Sequence, residues 1–271
     1  MTTSKTWPEP SESSRASEPA AIELQSVAKS YDGLAALAPV TLRVQRGERV
    51  AILGPSGAGK TTLLAMVAGE LQPSSGALRL DGRDLGGLRP GRELARRVGL
   101  IHQQFDLVPN LSALHNVLVG RIGEWGLVSS LVSLVWPQER PIAMAALARV
   151  GIAERAPVRA GRLSGGEQQR VAIARLLVQD PAIMLADEPV ASLDPARADE
   201  IMQLLADVAV EGGKTVVASM HLVDLARRYF TRLIGLRNGV VEFDLPAGAV
   251  TDAMLERLYD THGLRDDGGT I

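Results

Sequence analysis

Cysteine is absent from the 271 residues, which excludes disulfides and thiolate metal sites. Net charge is nearly absent too: 29 basic against 31 acidic residues leave −2. With no basic arm and no heptad run, nothing in that balance asks for a nucleic-acid partner. Residues 1–20 are not expected to act as a secretory leader, because they are rich in Ser, Pro and Glu and lack the apolar core such a leader needs. They read as a disordered tail, and a cytosolic home is compatible with both features. Long hydrophobic runs are missing as well. The most lipid-like stretch, Gly126 to Trp136, is shorter than the ~20 residues of a spanning helix. The chain is therefore expected not to cross a membrane by itself. No internal repeat is evident. What remains is a 46% hydrophobic sequence, long enough for one large domain or two modest ones, which suits a globular α/β protein.

The rest is arranged around Gly54-Pro55-Ser56-Gly57-Ala58-Gly59-Lys60-Thr61-Thr62, which fits the phosphate-loop pattern G-x-x-x-x-G-K-[ST]. Arg49 to Leu53 reads as a buried strand entering the loop, and Thr62 to Ala68 as the helix leaving it. The glycines let backbone N–H groups turn inward around an anion, and the helix N-terminus adds partial positive charge. Lys60 is expected to reach the β- and γ-phosphates of a nucleotide, and the Thr61 hydroxyl to ligate Mg²⁺.

In chain order, Ile22 to Ser30 and Thr41 to Gln45 read as strands, with Tyr31-Asp32-Gly33 at the turn after the first. Ala77 to Leu80 is a short strand before an Asp81-Gly82 turn, and Val98 to His102 leads into Gln103-Gln104. From about Phe105 to Arg162 the pattern turns helical, with Ser112 capping Ala113 to Val119 and Pro137 opening a helix from Gln138 to Val150. Ser164-Gly165-Gly166-Glu167 forms a capping box for a helix through Val178. Ile183 to Ala186 is a buried strand ending in Asp187-Glu188, and Pro195 to Val210 is helical. Thr215 to Ser219 is a strand ending just before His221. Strands at Arg232 to Leu236 and Val240 to Phe243 flank an Asn238-Gly239 turn, and a last helix, Asp252 to Tyr259, starts at a Thr251 cap. Alternating strands and helices predict a largely parallel sheet, which places Asp187 and Glu188 at the C-terminal edge where such sheets bind ligands.

These motifs in this order, with Leu163-Ser164-Gly165-Gly166-Glu167-Gln168-Gln169-Arg170 as signature, resemble the ATP-binding subunits of ABC transporters over nearly all of residues 22–260. The resemblance implies a P-loop NTPase (RecA-like) core with an N-terminal antiparallel β subdomain and an inserted α-helical subdomain. The ATPase domain would span 21–262, its helical insert about 105–167, with a C-terminal tail at 263–271. ATP would lie against Gly54, Pro55, Ser56, Gly57, Ala58, Gly59, Lys60, Thr61 and Thr62, with Tyr31 stacked on adenine. Mg²⁺ would be held by Thr61, Asp187 through water, and Gln103; Gln104 competes with Gln103 by residue type. Glu188 would be general base and His221 would contact the γ-phosphate, with Lys60 sharing in catalysis.

In the family two subunits pair head to tail, so Ser164, Gly165, Gly166 and Glu167 would face the ATP of the partner protomer. Ser192 and Asp194 match the D-loop, which crosses the dimer interface in relatives. His102 stands where many relatives carry Phe. The implied partners are a second copy, integral membrane permease subunits and, indirectly, a periplasmic substrate-binding protein, with the chain peripheral on the cytoplasmic face of the inner membrane. The Gly126 to Trp136 run, as a small buried contact or as surface facing the permease, fits that arrangement.

Three stretches, Gln103 to Ser112, Leu185 to Pro195 and Leu245 to Tyr259, resemble the ATP-binding subunit of phosphonate importers. Importers of phosphite or phosphate esters, an export or lipoprotein-release system, and a soluble ATPase acting on nucleic acid are the alternatives.

Overall fold

The computed structural model describes residues 19–89, 91–124, 139–191 and 193–260. Residues 1–18 of the N-terminal tail, the 263–271 tail, the Gly126 to Trp136 run, Pro137, Gln138 and Ser192 lie outside the described residues.

Strand β1 (Ile22–Tyr31) turns at Asp32-Gly33 into β2 (Leu34–Val44). Both turn residues have positive φ, 49° and 85°, the backbone that a tight hairpin matching strand twist requires. The expected strand at Thr41 is only the last part of β2. Its first half, Leu34-Ala35-Ala36-Leu37-Ala38-Pro39, has little intrinsic strand preference and forms through pairing with β1. Pro39 is tolerated because β2 is the edge of its sheet. Next come β3 (Arg49–Leu53), α1 (Lys60–Val67), β4 (Ser75–Leu80), a two-residue β5 (Arg83–Asp84), α2 (Arg92–Ala95) and β6 (Val98–Ile101).

Among the described residues three α-helices follow: α3 (Ala113–Leu118), α4 (Arg140–Arg149) and α5 (Gly165–Gln179). Ser112 caps α3 by accepting the His115 N–H, as its sequence position predicts. Helix α4 follows Glu139 and carries Pro141 in its first turn; the expected start at Pro137 and Gln138 lies outside the described residues. The chain then runs through β7 (Ile183–Asp187), α6 (Pro195–Glu211), β8 (Thr215–Met220), α7 (Val223–Tyr229), β9 (Arg232–Arg237), β10 (Val240–Pro246) and α8 (Asp252–Tyr259).

Two sheets result. One is antiparallel, in the order β2-β1-β4-β5; the other runs β10-β9-β3-β8-β7-β6 and is parallel except at its β10 edge. Strands β3, β7 and β8 are buried on both faces, which is why they read as near-continuous apolar runs. Val50, Ile52, Ile183, Leu185 and Val217 enter one core, shared with the antiparallel sheet and with Leu63, Leu64 and Met66 of α1. Ala51, Leu53, Met184, Ala186, Val216 and Ala218 enter the other, shared with α3, α4, α5 and α6. The parallel register sets Leu53 beside Met220, Asp187 beside Ser219, and Ile101 beside Ala186. The chain therefore leaves β3, β6, β7 and β8 at one common edge of the sheet.

Candidate active site

At that edge β3 runs into Gly54, where φ is +153° and a Cβ would sit 2.0 Å from the Leu236 carbonyl oxygen. No other residue fits there. Gly59, at φ +101° and with Ala36 O 2.8 Å from a would-be Cβ, lets the loop fold back into α1. Helix α1 has no side-chain cap and no acidic residue in its first turn, so its N-terminal dipole is left for an external anion. Lys60 is buried at 4% exposure, and its ammonium donates to the carbonyls of Gly54 (2.8 Å) and Pro55 (3.1 Å). Burial pushes its pKa below the usual lysine value, opposed by the charges of Glu188 and Asp187. A buried cation of this kind gains from an anionic ligand.

Asp187 ends β7 and is buried. Ser219 at the end of β8 donates its hydroxyl to Asp187 Oδ1 at 2.6 Å and accepts the Glu188 N–H at 2.7 Å. Glu188 has φ +49°, a left-handed conformation that costs a non-glycine residue about 1–2 kcal/mol. That turn carries its carboxylate back over the sheet edge. Gln103 Nε2 donates to Glu188 Oε2 at 3.2 Å, His221 Nε2 is hydrogen-bonded to Oε1, and Lys60 Nζ lies 3.9 Å from Oε1. A carboxylate only accepts, so His221 carries its proton on Nε2 in this contact. Three side chains, each following a different strand, thus meet around the carboxylate that follows a fourth. Of the two candidate glutamines, Gln103 is the one that reaches Glu188.

The profile of the ABC transporter family matches residues 37–191. The phosphonates import ATP-binding protein PhnC of Pseudomonas putida is 47% identical over 242 residues, covering 89% of this chain and 90% of that protein. Its counterpart in Thiobacillus denitrificans is 45% identical over 91% of this chain and 95% of that protein. Among solved structures, the dimeric post-hydrolysis state of the ATP-binding cassette MJ0796 bound to ADP and Pi matches with TM-score 0.74 and 36% identity, over 83% of this chain and 98% of that one. The chain belongs to the ABC transporter family of ATP-binding proteins.

In this ABC ATPase the remaining expected residues stand apart from the Glu188 cluster. Ser164 caps α5 and Glu167 closes the box, with Arg155 2.6 Å from the Glu167 carboxylate. The Glu167 pKa is lowered, first by the Ser164 N–H it accepts and then by the Ser164 hydroxyl and Arg155. Among the described residues no hydrogen bond or ion pair joins 164–167 to the phosphate loop or to Glu188. Asp194 caps α6 through the Arg197 N–H. Tyr31 is 48% exposed at the end of β1, with the Lys29 ammonium 5.1 Å from its ring centre. Thr61 is exposed and Thr62 half-buried in the first turn of α1. His102 is not an apolar stand-in for Phe: its Nε2 lies 3.0 Å from Glu70 and 3.3 Å from Asp106.

Among the described residues no group of three or more His, Cys, Asp or Glu could hold a metal by itself. Mg²⁺ keeps several waters and takes one or two protein oxygens plus substrate phosphates, so its fit rests on the single donors at this edge. Thr61 hydroxyl, Asp187 carboxylate and Gln103 amide oxygen are hard donors of the right kind. No described helix is long and apolar enough to cross a membrane.

Three contacts at this edge escape sequence reading. Ser219 sits in an apolar strand, and its only signal is a hydroxyl beside the expected end of the Asp187 strand. Tyr259, at the end of α8, accepts the Gly54 N–H through its hydroxyl at 3.3 Å, a contact across 205 residues with no local signature. Arg175 of α5 donates to the carbonyls of Phe105 (2.9 Å) and Asp106 (2.8 Å), both at positive φ just after Gln103. It ties the helix that opens at the signature to the segment carrying the glutamine.

Proposed function

We propose that this chain is the ATP-hydrolysing subunit that energises an importer of phosphonates. The observation that carries the ATPase chemistry is the convergence of Lys60, Gln103, Glu188 and His221 at one strand edge beside an uncapped helix N-terminus. The cargo reading is supported by the phosphonate importers named above, which match the chain nearly end to end.

In this reading the N–H groups from Gly57 to Thr62 cradle the phosphates, Lys60 moves from the loop carbonyls to the β- and γ-oxygens, and Tyr31 stacks on adenine. Thr61, Gln103 and Asp187, the last through water, would hold Mg²⁺, and the ion would supply positive charge to the transferring phosphoryl group. Glu188 accepts the proton of the attacking water, and His221, released from Glu188 Oε1, donates to the γ-phosphate. Both carboxylate oxygens of Glu188 are hydrogen-bonded, so an attacking water has to displace Gln103 or His221 to reach its base.

Ser164, Gly165, Gly166 and Glu167 serve the ATP of a second copy, with Ser192 and Asp194 at the shared interface. Their separation from the Glu188 cluster within one chain supports that assignment. ATP binding closes the dimer and drives a membrane permease fed by a periplasmic binding protein, and release of phosphate reopens it. The subunit sits peripherally on the cytoplasmic face of the inner membrane.

The test is ATP hydrolysis in vesicles holding this protein, the permease and the binding protein encoded beside it, with and without a simple alkylphosphonate. Stimulation by the phosphonate is the expected result. Hydrolysis indifferent to phosphonate but raised by phosphite or a phosphate ester would replace the cargo and keep the ATPase.

A further inference from the structure

Ser219 lies at the end of a strand whose neighbours on both sides are functional: Ile52 leads into the phosphate loop, and Asp187 is its partner in register on β7. The residue has 0% exposure. Alanine or valine would suit the packing of the surrounding strand, so the hydroxyl has to be accounted for by what it bonds. A hydroxyl carries one proton and accepts with its lone pairs. The proton goes to Asp187 Oδ1, because a carboxylate can only accept, and a lone pair takes the Glu188 N–H. One oxygen therefore grips the side chain of the first acid and the main chain of the second.

The geometry explains why the chain turns where it does. Asp187–Ser219 is the last pair in the β7–β8 ladder. The next N–H, that of Glu188, is taken by the Ser219 side chain, the strand stops, and Glu188 enters the left-handed region that aims it at Gln103 and His221. Without the hydroxyl, the Asp187 carboxylate loses its hydrogen-bonded anchor and the half-buried Glu188 N–H loses its acceptor.

We propose that Ser219 is a positioning residue for hydrolysis, acting through both acids at once: it fixes the oxygen that Asp187 presents to hydrated Mg²⁺ and the direction from which Glu188 meets the attacking water. This rests on the roles of Asp187 and Glu188 given above. Nucleotide contacts of the phosphate loop do not pass through Ser219, so binding of ATP without Mg²⁺ is independent of it.

The experiment compares the full-length parent with Ser219→Ala, Ser219→Thr and Glu188→Gln. It reads turnover, the Mg²⁺ concentration for half-maximal tightening of a fluorescent ATP analogue, and affinity for that analogue in EDTA. Ser219→Ala is expected to lose roughly 10- to 100-fold in turnover and in apparent Mg²⁺ affinity, the cost typical of a residue that orients a metal-holding group. Its affinity in EDTA stays at the parent value, and Ser219→Thr, which keeps a hydroxyl, recovers most of both losses. Parent-like turnover and Mg²⁺ response in Ser219→Ala overturn the inference. So does an equal loss of affinity in EDTA, which would mark general damage to the fold, or a threonine variant no better than alanine. Glu188→Gln separates the two levels: if it hydrolyses normally, the base assignment fails; if it is inactive while Ser219→Ala is normal, only the role of Ser219 fails.

Discussion

Gln103 and Glu188 lie 85 positions apart in the chain and 3.2 Å apart in space, each at the end of its own parallel strand. Because β6 and β7 are neighbours in register, the glutamine that follows one and the glutamate that follows the other meet over the sheet edge. His221, after the adjacent β8, completes the contact from the other side. Through Gln103, Glu188 is joined to the segment that Arg175 ties to helix α5.

Lys60→Ala removes the ammonium that holds the loop carbonyls and, in the account above, reaches the phosphates. Charge-assisted hydrogen bonds of this kind contribute about 1.5–3 kcal/mol each, so ATP affinity is expected to fall at least tenfold. Titration with a fluorescent ATP analogue measures it, and parent-like affinity would contradict the loop's role.

Tyr259→Phe deletes the one hydroxyl that receives the Gly54 N–H. A neutral hydrogen bond of this type contributes about 0.5–1.5 kcal/mol net. The expected result is a KM for ATP raised by a few-fold with kcat unchanged, because the residue touches the loop backbone and not the Glu188 cluster. A fall in kcat at constant KM would show that helix α8 acts on hydrolysis by some other route.

Ser164→Ala distinguishes a helix cap from a ligand group. Loss of an N-cap costs about 1 kcal/mol, which for a chain of this size lowers Tm by roughly 2–4 °C. Against a typical stability of about 5–15 kcal/mol the fold stays populated. A fall in turnover of 100-fold or more would therefore report the partner's nucleotide, and a fall explained by Tm alone would reduce Ser164 to a cap.

The same variant carries a pH signature. The Glu167 pKa is depressed in the folded chain, chiefly by the Ser164 N–H and partly by its hydroxyl. A depressed carboxylate adds stability that is fully present above its unfolded-state pKa and is lost as pH falls through the lower folded-state value. The Tm difference between parent and Ser164→Ala should accordingly shrink on acidification through that range. The variant keeps the backbone N–H at position 164, so a difference that stays constant would mean that the Ser164 hydroxyl contributes nothing to the Glu167 shift.

Residues that follow a buried parallel strand were readable in advance, because a short apolar run flanked by charge has one place to go in an α/β sheet. Asp187 and Glu188 fall in that class, Lys60 is read from the phosphate-loop pattern, His221 gains its role only through the family resemblance, and caps such as Ser112, Ser164 and Thr251 are readable from local chemistry. The first half of β2 was not, since its alanines and Pro39 speak against a strand and only pairing with β1 makes one. Helix α2, four residues long, and α7 lack the length that periodicity needs. Ser219 and Tyr259 stayed hidden for a different reason: their partners are fixed by tertiary register, and neither residue type announces it.

The account stands or falls on Glu188. The most direct measurement follows Mg²⁺-dependent phosphate release and oligomeric state together for the parent and Glu188→Gln. The account predicts that Glu188→Gln binds ATP, releases phosphate slower by orders of magnitude, and accumulates as an ATP-bound dimer because the step that reopens it is blocked. Phosphate release at the parent rate, or ATP bound by a species that stays monomeric, would contradict it.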